Sequence, residues 1–373
     1  QTPKKTILII DAFSIAFRSY YSIPPTLTLP NGDPINVVYG FLNILFKSLD
    51  EFNPDYLCIC FDHKDKTFRH ETYKDYKAHR PPPPDDFKVQ VPVLFSTLDK
   101  LKMPYIVKSG YEADDLMGTV SKHAEKEGFE CLVMTSDQDS FQLISEHISI
   151  IVNKKGVSEF YRMTPDALHE KMQLTPSQIV DYKALKGDSS DNIPGVKGVG
   201  DKTAISLLHD YETLGGIYEN LECIKSNSVR NKLESDKENA FLSYKLATID
   251  CEVPIEYSLE DFHLIPDWQA IMNCFNEMAF KTLIARYKSR VSAQGDLFSP
   301  APPLVASSTP KTGIPVSGEA SNLLDTEPEL KKPDGEYHLV ESLESFKKLL
   351  PKLKDGFAFD LETTSLSTTK AQI

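Results

Sequence analysis

Acidic side chains recur in this sequence where short apolar segments end. Asp11 ends the segment TILIID, Asp62 ends DYLCICFD, and two further aspartates, Asp137 and Asp139, follow CLVM. Three more acids stand where MPYIVKSG gives way to a helical pattern, and they are Glu112, Asp114 and Asp115. Open parallel sheets bind their ligands beyond the carboxyl ends of the strands. If these segments are neighbouring strands, the acids therefore converge in one crevice.

Such a cluster of carboxylates requires bound cations. Two carboxylates a few ångströms apart repel each other by ~4 kcal/mol at an effective dielectric constant near 20. Ligands that are all oxygen favour a hard ion such as Mg²⁺ or Mn²⁺ over zinc. Each acid taken alone is better explained by a helix N-cap or a solvated loop, so the prediction depends on the recurrence. An EF-hand loop in DQDSFQLISEHI is excluded because the required Gly and terminal Glu are missing.

The elements that must position these acids alternate between strands and helices. The four apolar segments are predicted to be strands, and apolar residues spaced by three and four predict helices over 36–51 and from Ala113 to Gly128. The segment ISIIVNKKGVSEFY predicts a hairpin that turns at Lys155–Gly156. This alternation predicts an α/β domain over residues 1–163, with a mainly parallel central sheet and helices on both faces.

From residue 164 to residue 290 the pattern is helical and predicts a second, helical subdomain. Thr175 is a good N-cap, Pro176 suits the first helical position, and Gln178 completes a capping box. These three residues predict that a helix begins at Pro176.

A glycine-rich segment, LKGDSSDNIPGVKGVGDKTAISLL, occupies residues 185–208. It departs from the P-loop pattern G-x-x-x-x-G-K-[ST] because Asp201 stands between the last glycine and Lys202. A tight turn between two helices, the second beginning near Lys202, explains the segment better. Its backbone N–H groups would hold a DNA phosphate without reading bases. Asp188 and Asp191 place two more carboxylates beside this turn.

The segment KDKTFRHETYKDYKAHRPPPP, residues 64–84, combines six basic with three acidic side chains and carries tyrosines between them. Cations that pair with phosphates and rings on which bases stack suit single-stranded nucleic acid. A solvated, salt-bridged helix that ends at the prolines is the alternative, and composition supports the two about equally.

Length and composition limit the remaining possibilities. A chain of 373 residues allows two or three domains, and a hydrophobic fraction of 40% supports a large core. No apolar run approaches the ~18 residues of a membrane span, and no secretory signal is visible. The six cysteines form no C-x-x-C pair, so we expect free thiols in a reducing cytoplasm. The first residue is not Met, which suggests a fragment.

The last part of the chain changes character. Residues 291–335 are rich in Pro, Ser, Gly and Thr and predict a flexible linker. Residues 336–373 begin a new strand–helix–strand unit, but they are too few to complete a domain.

Five segments, in this order, resemble the 5′-nuclease domains of the flap endonuclease family, of the kind that bacterial DNA polymerase I carries. They are ILIIDAFSIAFRSYY, FDHKDKTFRHETYKDYKAHRPPPPDDF, GYEADD, TSDQDSFQL and GDSSDNIPGVKGVGDKTA, and they cover about residues 6–290. The resemblance implies a structure-selective, metal-dependent 5′ nuclease of the bacterial cytoplasm, active as a monomer. It would act on branched or nicked DNA and on RNA–DNA primer junctions in replication and repair.

By this resemblance, two Mg²⁺ ions, with Mn²⁺ as a substitute, support the hydrolysis of a phosphodiester bond. The ligands of the first ion would be Asp11, Asp62, Glu112 and Asp114. The second cluster would comprise Asp115, Asp137, Asp139, Asp188 and Asp191, with Asp114 as a candidate for both.

The resemblance also assigns residues to DNA. Residues 63–90 correspond to the family's helical arch, in which Lys77 and Arg80 would steer the scissile phosphate during catalysis. The arch residues expected to bind DNA are Arg69, Tyr73, Tyr76, Lys77 and Arg80. Residues 176–208 correspond to a helix–hairpin–helix element that would hold the duplex and a K⁺ ion. Its expected DNA-binding residues are Gly195, Lys197, Gly198, Gly200, Lys202 and Thr203.

Two shorter matches lie nearer the end of the chain. The string FDLETTSL resembles the first motif of a 3′–5′ proofreading domain, so Asp360 and Glu362 would belong to an incomplete second metal site without exonuclease activity. The string QGDLF, Gln294 to Phe298, resembles the pentapeptide by which bacterial proteins bind the sliding clamp, and it would do so as a disordered peptide.

Two other classes of function stay open, namely a non-catalytic module that binds DNA junctions and a P-loop NTPase. The formal charge of −13 ordinarily argues against a nucleic-acid partner. Residues 291–373 carry 8 basic and 12 acidic side chains, which leaves a charge of −9 on residues 1–290. The nine predicted metal ligands account for this excess, so the acidity is compatible with a nuclease.

Overall fold

The computed structural model describes residues 4–29, 31–153 and 160–295. In these residues six strands form one sheet, in the spatial order β3-β2-β1-β4-β5-β6. The strands are β1 (Thr6–Asp11), β2 (Tyr56–Phe61), β3 (Tyr105–Val107), β4 (Glu130–Met134), β5 (Ile148–Asn153) and β6 (Phe160–Met163). All neighbours are parallel except β6, which runs antiparallel to β5. The predicted α/β fold with a mainly parallel sheet is confirmed.

The α-helices of the described residues follow the strands in the first half of the chain and dominate the second half. They are α1 (Ala12–Ser22), α2 (Asn36–Phe52), α3 (Phe68–Thr72), α4 (Asp85–Lys88), α5 (Val91–Lys100), α6 (Ala113–Lys126), α7 (Pro165–Met172), α8 (Gln178–Lys186), α9 (Asp201–Tyr211), α10 (Leu214–Glu219), α11 (Asn227–Ser235), α12 (Lys237–Ala247), α13 (Trp268–Glu277) and α14 (Lys281–Gly295).

Both faces of the sheet are covered because successive residues of β1 point to opposite sides. Ile7 and Ile9 belong to the same core as the apolar side chains of α6, whereas Leu8 and Ile10 belong to the core that α1, α2 and α5 share. All four side chains are fully buried. Burial of each one contributes roughly 1.5–3 kcal/mol, so β1 is central to both cores.

The register of the parallel strands brings their carboxyl ends to one edge. Asp11, the last residue of β1, is paired with Cys60, which lies two positions before Asp62. On the other side of β1, Ile10 is paired with Met134, the last residue of β4. The strand ends therefore present Asp11, Asp62 and the segment that follows β4 side by side.

Three element boundaries differ from the sequence-based prediction. Helix α8 begins at Gln178 and not at Pro176, because Thr175 and the two residues after it form a turn closed by the Gln178 N–H to Thr175 carbonyl hydrogen bond at 3.0 Å. Strand β3 is only three residues long, and α6 ends at Lys126, before Gly128. The helices predicted over 36–51 and from near residue 202 are present within one residue.

Residues 63–90 contain two short helices, α3 and α4, separated by a turn and by the prolines at 81–84. Consecutive prolines prevent a continuous helix. The segment lies against the glycine-rich turn of residues 187–200, since the Lys77 N–H donates to the Asp191 carbonyl at 2.9 Å.

The second half of the chain is helical, as predicted. Helices α7 to α12 follow the sheet domain, but α13 and α14 return to it and share its second core with α2. The last described helices therefore pack on the sheet domain, and the boundary at residue 163 stays a prediction.

Several predicted features lie outside the described residues. They are the hairpin turn at Lys155–Gly156, positions 296–298 of the clamp-like peptide, and Asp360 and Glu362 in residues 336–373. The linker predicted over 291–335 also lies outside them, except for its first five residues, which belong to α14 instead. Within the described part of the chain, no helix has the length and apolar character needed to cross a membrane.

Candidate active site

Asp11 and Asp62 are held at the strand ends by hydrogen bonds from three segments of the chain. Asp11 is the N-cap of α1, and its carboxylate accepts from the Ser14 N–H at 3.0 Å and from the Thr135 hydroxyl at 2.8 Å. Asp62 follows β2 and accepts from the Ala113 N–H at 2.9 Å. The ends of β1 and β2 and the start of α6 thus fix both carboxylates.

The first turn of α6 supplies three more acids. Glu112 is the N-cap and shares a capping box with Asp115. Its carboxylate accepts from the Lys77 ammonium at 2.9 Å and from the Tyr76 hydroxyl at 3.1 Å. Consecutive helical positions point about 100° apart, so Asp114 lines a cavity while Asp115 faces the interior.

The cavity at this edge of the sheet has a volume of about 810 Å³, within the ~300–1,000 Å³ typical of ligand sites. Its acidic lining is Asp11, Asp62, Asp65, Glu112, Asp114, Asp137 and Asp188. Its basic lining includes Lys77, Arg80, Lys183 and Lys186. It therefore combines oxygen ligands for cations with ammonium and guanidinium groups that suit a phosphate.

Burial and mutual repulsion raise the pKa values of the acids in this cavity. Burial, assisted by the charge of Asp62, raises the pKa of Asp11 to about 7. Burial and the charges of Asp137 and Asp11 hold the pKa of Asp114 well above its ordinary value, and burial raises the pKa of Asp62. A bound cation would compensate the free-energy cost of ionising these groups together.

Two cations from residues 63–90 pair with carboxylates of the site. The Lys77 ammonium lies 2.9 Å from Glu112 and 3.8 Å from Asp191, and the Arg80 guanidinium forms an ion pair with Asp191. Both side chains predicted to steer a phosphate thus line the cavity, where carboxylates are their partners.

A third cation, Lys183 of α8, is absent from the sequence-based prediction. Its ammonium lies 2.5 Å from Asp139 and also forms an ion pair with Asp188. Burial opposes ionisation of Asp188, but hydrogen bonds from Lys183 and Ser190 lower its pKa to about 2. Its position in the sequence could have indicated this role, since Lys183 stands one helical turn before Gly187 on the helix that leads into these acids.

The nine acids predicted as metal ligands therefore fall into three groups. The first group lines the cavity: it comprises Asp11, Asp62 and Asp114, whose pKa values are raised, and Asp137 beside them. Those paired with lysine or arginine around the cavity are Glu112, Asp139, Asp188 and Asp191. The third group is Asp115 alone, which lies buried beneath the cavity and forms an ion pair with Arg69. Among the described residues, no three Asp, Glu, His or Cys side chains form a ready-made metal cage. The fit to hard divalent ions is one of donor chemistry, since every donor is a carboxylate oxygen.

Two residues of the predicted arch cannot bind DNA as expected, because they are buried. Arg69 is 2% exposed, and its guanidinium forks onto Asp115 at 2.8 and 2.7 Å. Tyr76 is 3% exposed and packs with Val180 and Leu246. Tyr73, which is half-buried, packs against the same cluster. Side chains that form a basic, aromatic pattern in the sequence instead dock residues 63–90 onto the helices below.

Most of the predicted DNA-binding residues of the glycine-rich turn are accessible to solvent. Four predicted DNA-binding residues are exposed on the turn or on the first turn of α9, and a fifth, Thr203, is half-buried; the four are Lys197, Gly198, Gly200 and Lys202. The open N–H groups of a helix start favour phosphate oxygens.

Gly195 is the exception in this turn, and its predicted DNA contact is contradicted. It is buried, with φ at +62°, and its N–H donates to the Ser243 hydroxyl at 2.9 Å. A Cβ atom at this position would lie 2.3 Å from the backbone nitrogen of Gly187. Gly195 is therefore required by the close approach of two backbone segments.

Comparison with known proteins identifies the class. A family model described as the N-terminal resolvase-like domain of 5′-3′ exonuclease matches residues 6–173, and one described as its C-terminal SAM fold matches residues 174–269. The chain belongs to the 5′–3′ exonuclease family.

Relatives in this family are named DNA polymerase I. That of Streptococcus pneumoniae (strain R6) is 43% identical over 284 residues, which cover 75% of this chain and 32% of the relative. That of Bacillus caldotenax is 38% identical over 292 residues, which cover 78% and 33%. The chain thus spans about a third of the length of these relatives.

Solved structures share the fold. A T5 5′-exonuclease with bound zinc superposes with a TM-score of 0.55 at 18% identity, over 66% of this chain and 90% of that chain. A T5 D15 flap endonuclease, in a pseudo-enzyme–product complex with DNA and metal ions, gives a TM-score of 0.54 at 18% identity, over 66% and 89%.

Proposed function

We propose that this chain is a divalent-metal-dependent 5′ nuclease that hydrolyses phosphodiester bonds at flaps and nicks in DNA and RNA–DNA primer junctions, as the N-terminal part of a DNA polymerase I. One observation carries the proposal: carboxylates from two strand ends and α6 line the same cavity as Lys77, Arg80 and Lys183. The T5 relative in complex with DNA and metal ions supports both partners.

The residues of the cavity would divide the work. Bound Mg²⁺ or Mn²⁺ would supply an activated water and neutralise the charge that develops on the phosphate. The first ion would be held by Asp11, Asp62, Glu112 and Asp114, and the second by Asp137, Asp139, Asp188 and Asp191. Lys77 and Arg80 would bind the scissile phosphate once its charge replaces that of their present carboxylate partners.

The duplex beside the cut would lie on the exposed glycine-rich turn. Lys197 and Lys202 would pair with phosphates, while the N–H groups of Gly198 and Gly200 approach the backbone closely. A K⁺ ion at this turn, a monomeric state and binding to the sliding clamp belong to the same proposal.

A 5′-flap duplex labelled on the flap tests the proposal in Mg²⁺ and in EDTA. Cleavage should require Mg²⁺, and Asp114→Asn should slow it by roughly 100-fold or more, because the negative charge of one proposed metal ligand is lost. Asp166→Asn, an exposed aspartate in the first turn of α7, is the matched control and should stay within about twofold of the wild type.

Three outcomes contradict the proposal. Cleavage in EDTA, or a wild-type rate for Asp114→Asn, would remove the two-metal assignment. Tight flap binding in Mg²⁺ without any cleavage would instead support a non-catalytic module that binds DNA junctions.

A further inference from the structure

Asp115 is fully buried, and its hydrogen-bonding capacity is used up. Its Oδ1 accepts from Arg69 Nη2 at 2.7 Å and from the Asp250 N–H at 2.8 Å. Its Oδ2 accepts from Arg69 Nη1 at 2.8 Å and from the Glu112 N–H at 3.0 Å. A carboxylate offers about four lone-pair sites, so a metal ion would have to displace one of these buried donors.

Arg69 is equally committed on its side of the pair. Beyond the fork onto Asp115, its Nε donates to the Leu246 carbonyl at 2.9 Å and its Nη2 donates to the Thr248 carbonyl at 2.7 Å. Both carbonyls lie at the C-terminal end of α12, where a cation is electrostatically favoured. One guanidinium therefore joins α3, the start of α6 and the end of α12.

We propose that Arg69 and Asp115 are a positioning pair that fixes the first turn of α6, and that neither binds metal or DNA. The hydrogen bond from the Glu112 N–H to Asp115 sets the backbone from which Glu112 and Asp114 project. This inference rests on the proposed function, because those two carboxylates matter as ligands there. Partners behind a ligand orient it and tune ion affinity without touching the ion.

Ion binding by the full chain, without DNA, tests the pair. Mn²⁺ titration calorimetry compares the wild type, Arg69→Gln, Asp115→Asn and the double variant. Each single change should weaken Mn²⁺ binding by about 10- to 100-fold. The double variant should lose no more Mn²⁺ affinity than the single variant that binds Mn²⁺ more weakly, because the two residues act through each other.

Three results overturn the pairing. They are additive losses in the double variant, wild-type affinity in Asp115→Asn, and loss in Asp115→Asn with full retention in Arg69→Gln, which is the pattern of a direct ligand. Should Arg69→Gln fail to fold, Arg69→Lys gives the same comparison, since it keeps the buried charge but cannot form the fork.

The salt dependence of DNA binding tests whether Arg69 contacts a phosphate. Affinity for the flap duplex is measured in EDTA across a KCl series. Removing one phosphate contact lowers the slope of log affinity against log salt by about one. The slope should be unchanged for Arg69→Gln and reduced for Lys202→Gln, whose exposed ammonium is the matched control. A reduced slope for Arg69→Gln overturns the proposal.

The failure of the pair and the failure of the proposed function are distinguishable. A wild type that binds no Mn²⁺ overturns both. A wild type that binds Mn²⁺ and cuts the flap, with additive losses at Arg69 and Asp115, overturns the pair alone.

Discussion

At the scale of single residues, lysine and arginine side chains form ion pairs with the carboxylates that divalent ions would bind. Lys183 lies between Asp139 and Asp188, and Lys77 contacts Glu112. A buried carboxylate left without a partner costs several kcal/mol, so these cations stabilise the ion-free protein. Divalent ions must share or displace them, and ion affinity is therefore coupled to these pairs.

Lys183→Gln leaves Asp139 and Asp188 without their counter-charge, so it should lower the free energy of unfolding in EDTA by about 3 kcal/mol. Mg²⁺ should then raise the melting temperature more than in the wild type, because the ions supply the missing charge. Thermal unfolding with and without Mg²⁺ measures both effects. Lys186→Gln, which removes an exposed pair with Asp201, should change little. Equal rises in melting temperature for the wild type and Lys183→Gln would show that Mg²⁺ and Lys183 do not compete for these carboxylates.

The stability of the ion-free protein should fall as pH rises, because the pKa of Asp11 is raised from 3.8 to about 7. A carboxyl group with a raised pKa in the folded state stabilises the protein fully below its unfolded pKa and loses this contribution as pH rises through its folded pKa. Between pH 5 and pH 8 in EDTA, the wild type should therefore lose roughly 2–3 kcal/mol more than Asp11→Asn. Urea unfolding across this range measures the difference.

The amide of Asp11→Asn can still accept from the Ser14 N–H and can donate to the Thr135 hydroxyl, so the local geometry has a replacement for each hydrogen bond. The two proteins thus differ mainly in the ability to ionise at this position. Parallel pH profiles would show that Asp11 is not the group whose ionisation lowers stability.

At the scale of elements, positions that depend on local sequence were predictable and long-range partners were not. Asp11 and Asp62 could be placed because the end of an apolar strand is a local property, and the parallel sheet then brings such ends together. Arg69 could not be placed, because its partner carbonyl at Leu246 is 177 positions away. The composition around Arg69 is the same whether its side chain faces DNA or the end of α12.

The glycine-rich turn illustrates the same limit. Its glycines predicted a turn between two helices, which the structure contains between α8 and α9. Spacing alone did not separate Gly200, which is exposed, from Gly195, which is buried against the backbone of Gly187. That distinction depends on where the chain approaches itself.

Gly195→Ala should destabilise the turn, whereas Gly200→Ala should be tolerated. The positive φ of Gly195 and the 2.3 Å approach of its Cβ to Gly187 together should cost about 2–4 kcal/mol. Gly200 has φ at −109° and open space around its Cβ, so alanine there should cost less than about 1 kcal/mol. Urea unfolding of both variants, together with duplex binding, measures the contrast. Equal costs contradict the structural role of Gly195.

At the scale of the whole molecule, the chain returns to its first domain after the helical segments. Phe275 of α13 packs edge-on against Phe46 of α2, with ring centroids 5.3 Å apart. Tyr287 of α14 donates to Asp50 at 2.8 Å. The second family model ends at residue 269, so most of α13 and all of α14 lie beyond it. These helices nevertheless complete the core on one face of the sheet.

Phe275→Ala should therefore cost about 3–5 kcal/mol in the free energy of unfolding, because a fully buried ring is removed from this core and leaves a cavity. The matched control is Phe241→Ala, which truncates a ring that is 44% exposed on α12 and should cost no more than about 1 kcal/mol. Urea unfolding monitored by circular dichroism compares the two. A cost below about 1 kcal/mol for Phe275→Ala would mean that the sheet is complete without α13, and the match boundary at residue 269 would then mark the end of the folded unit.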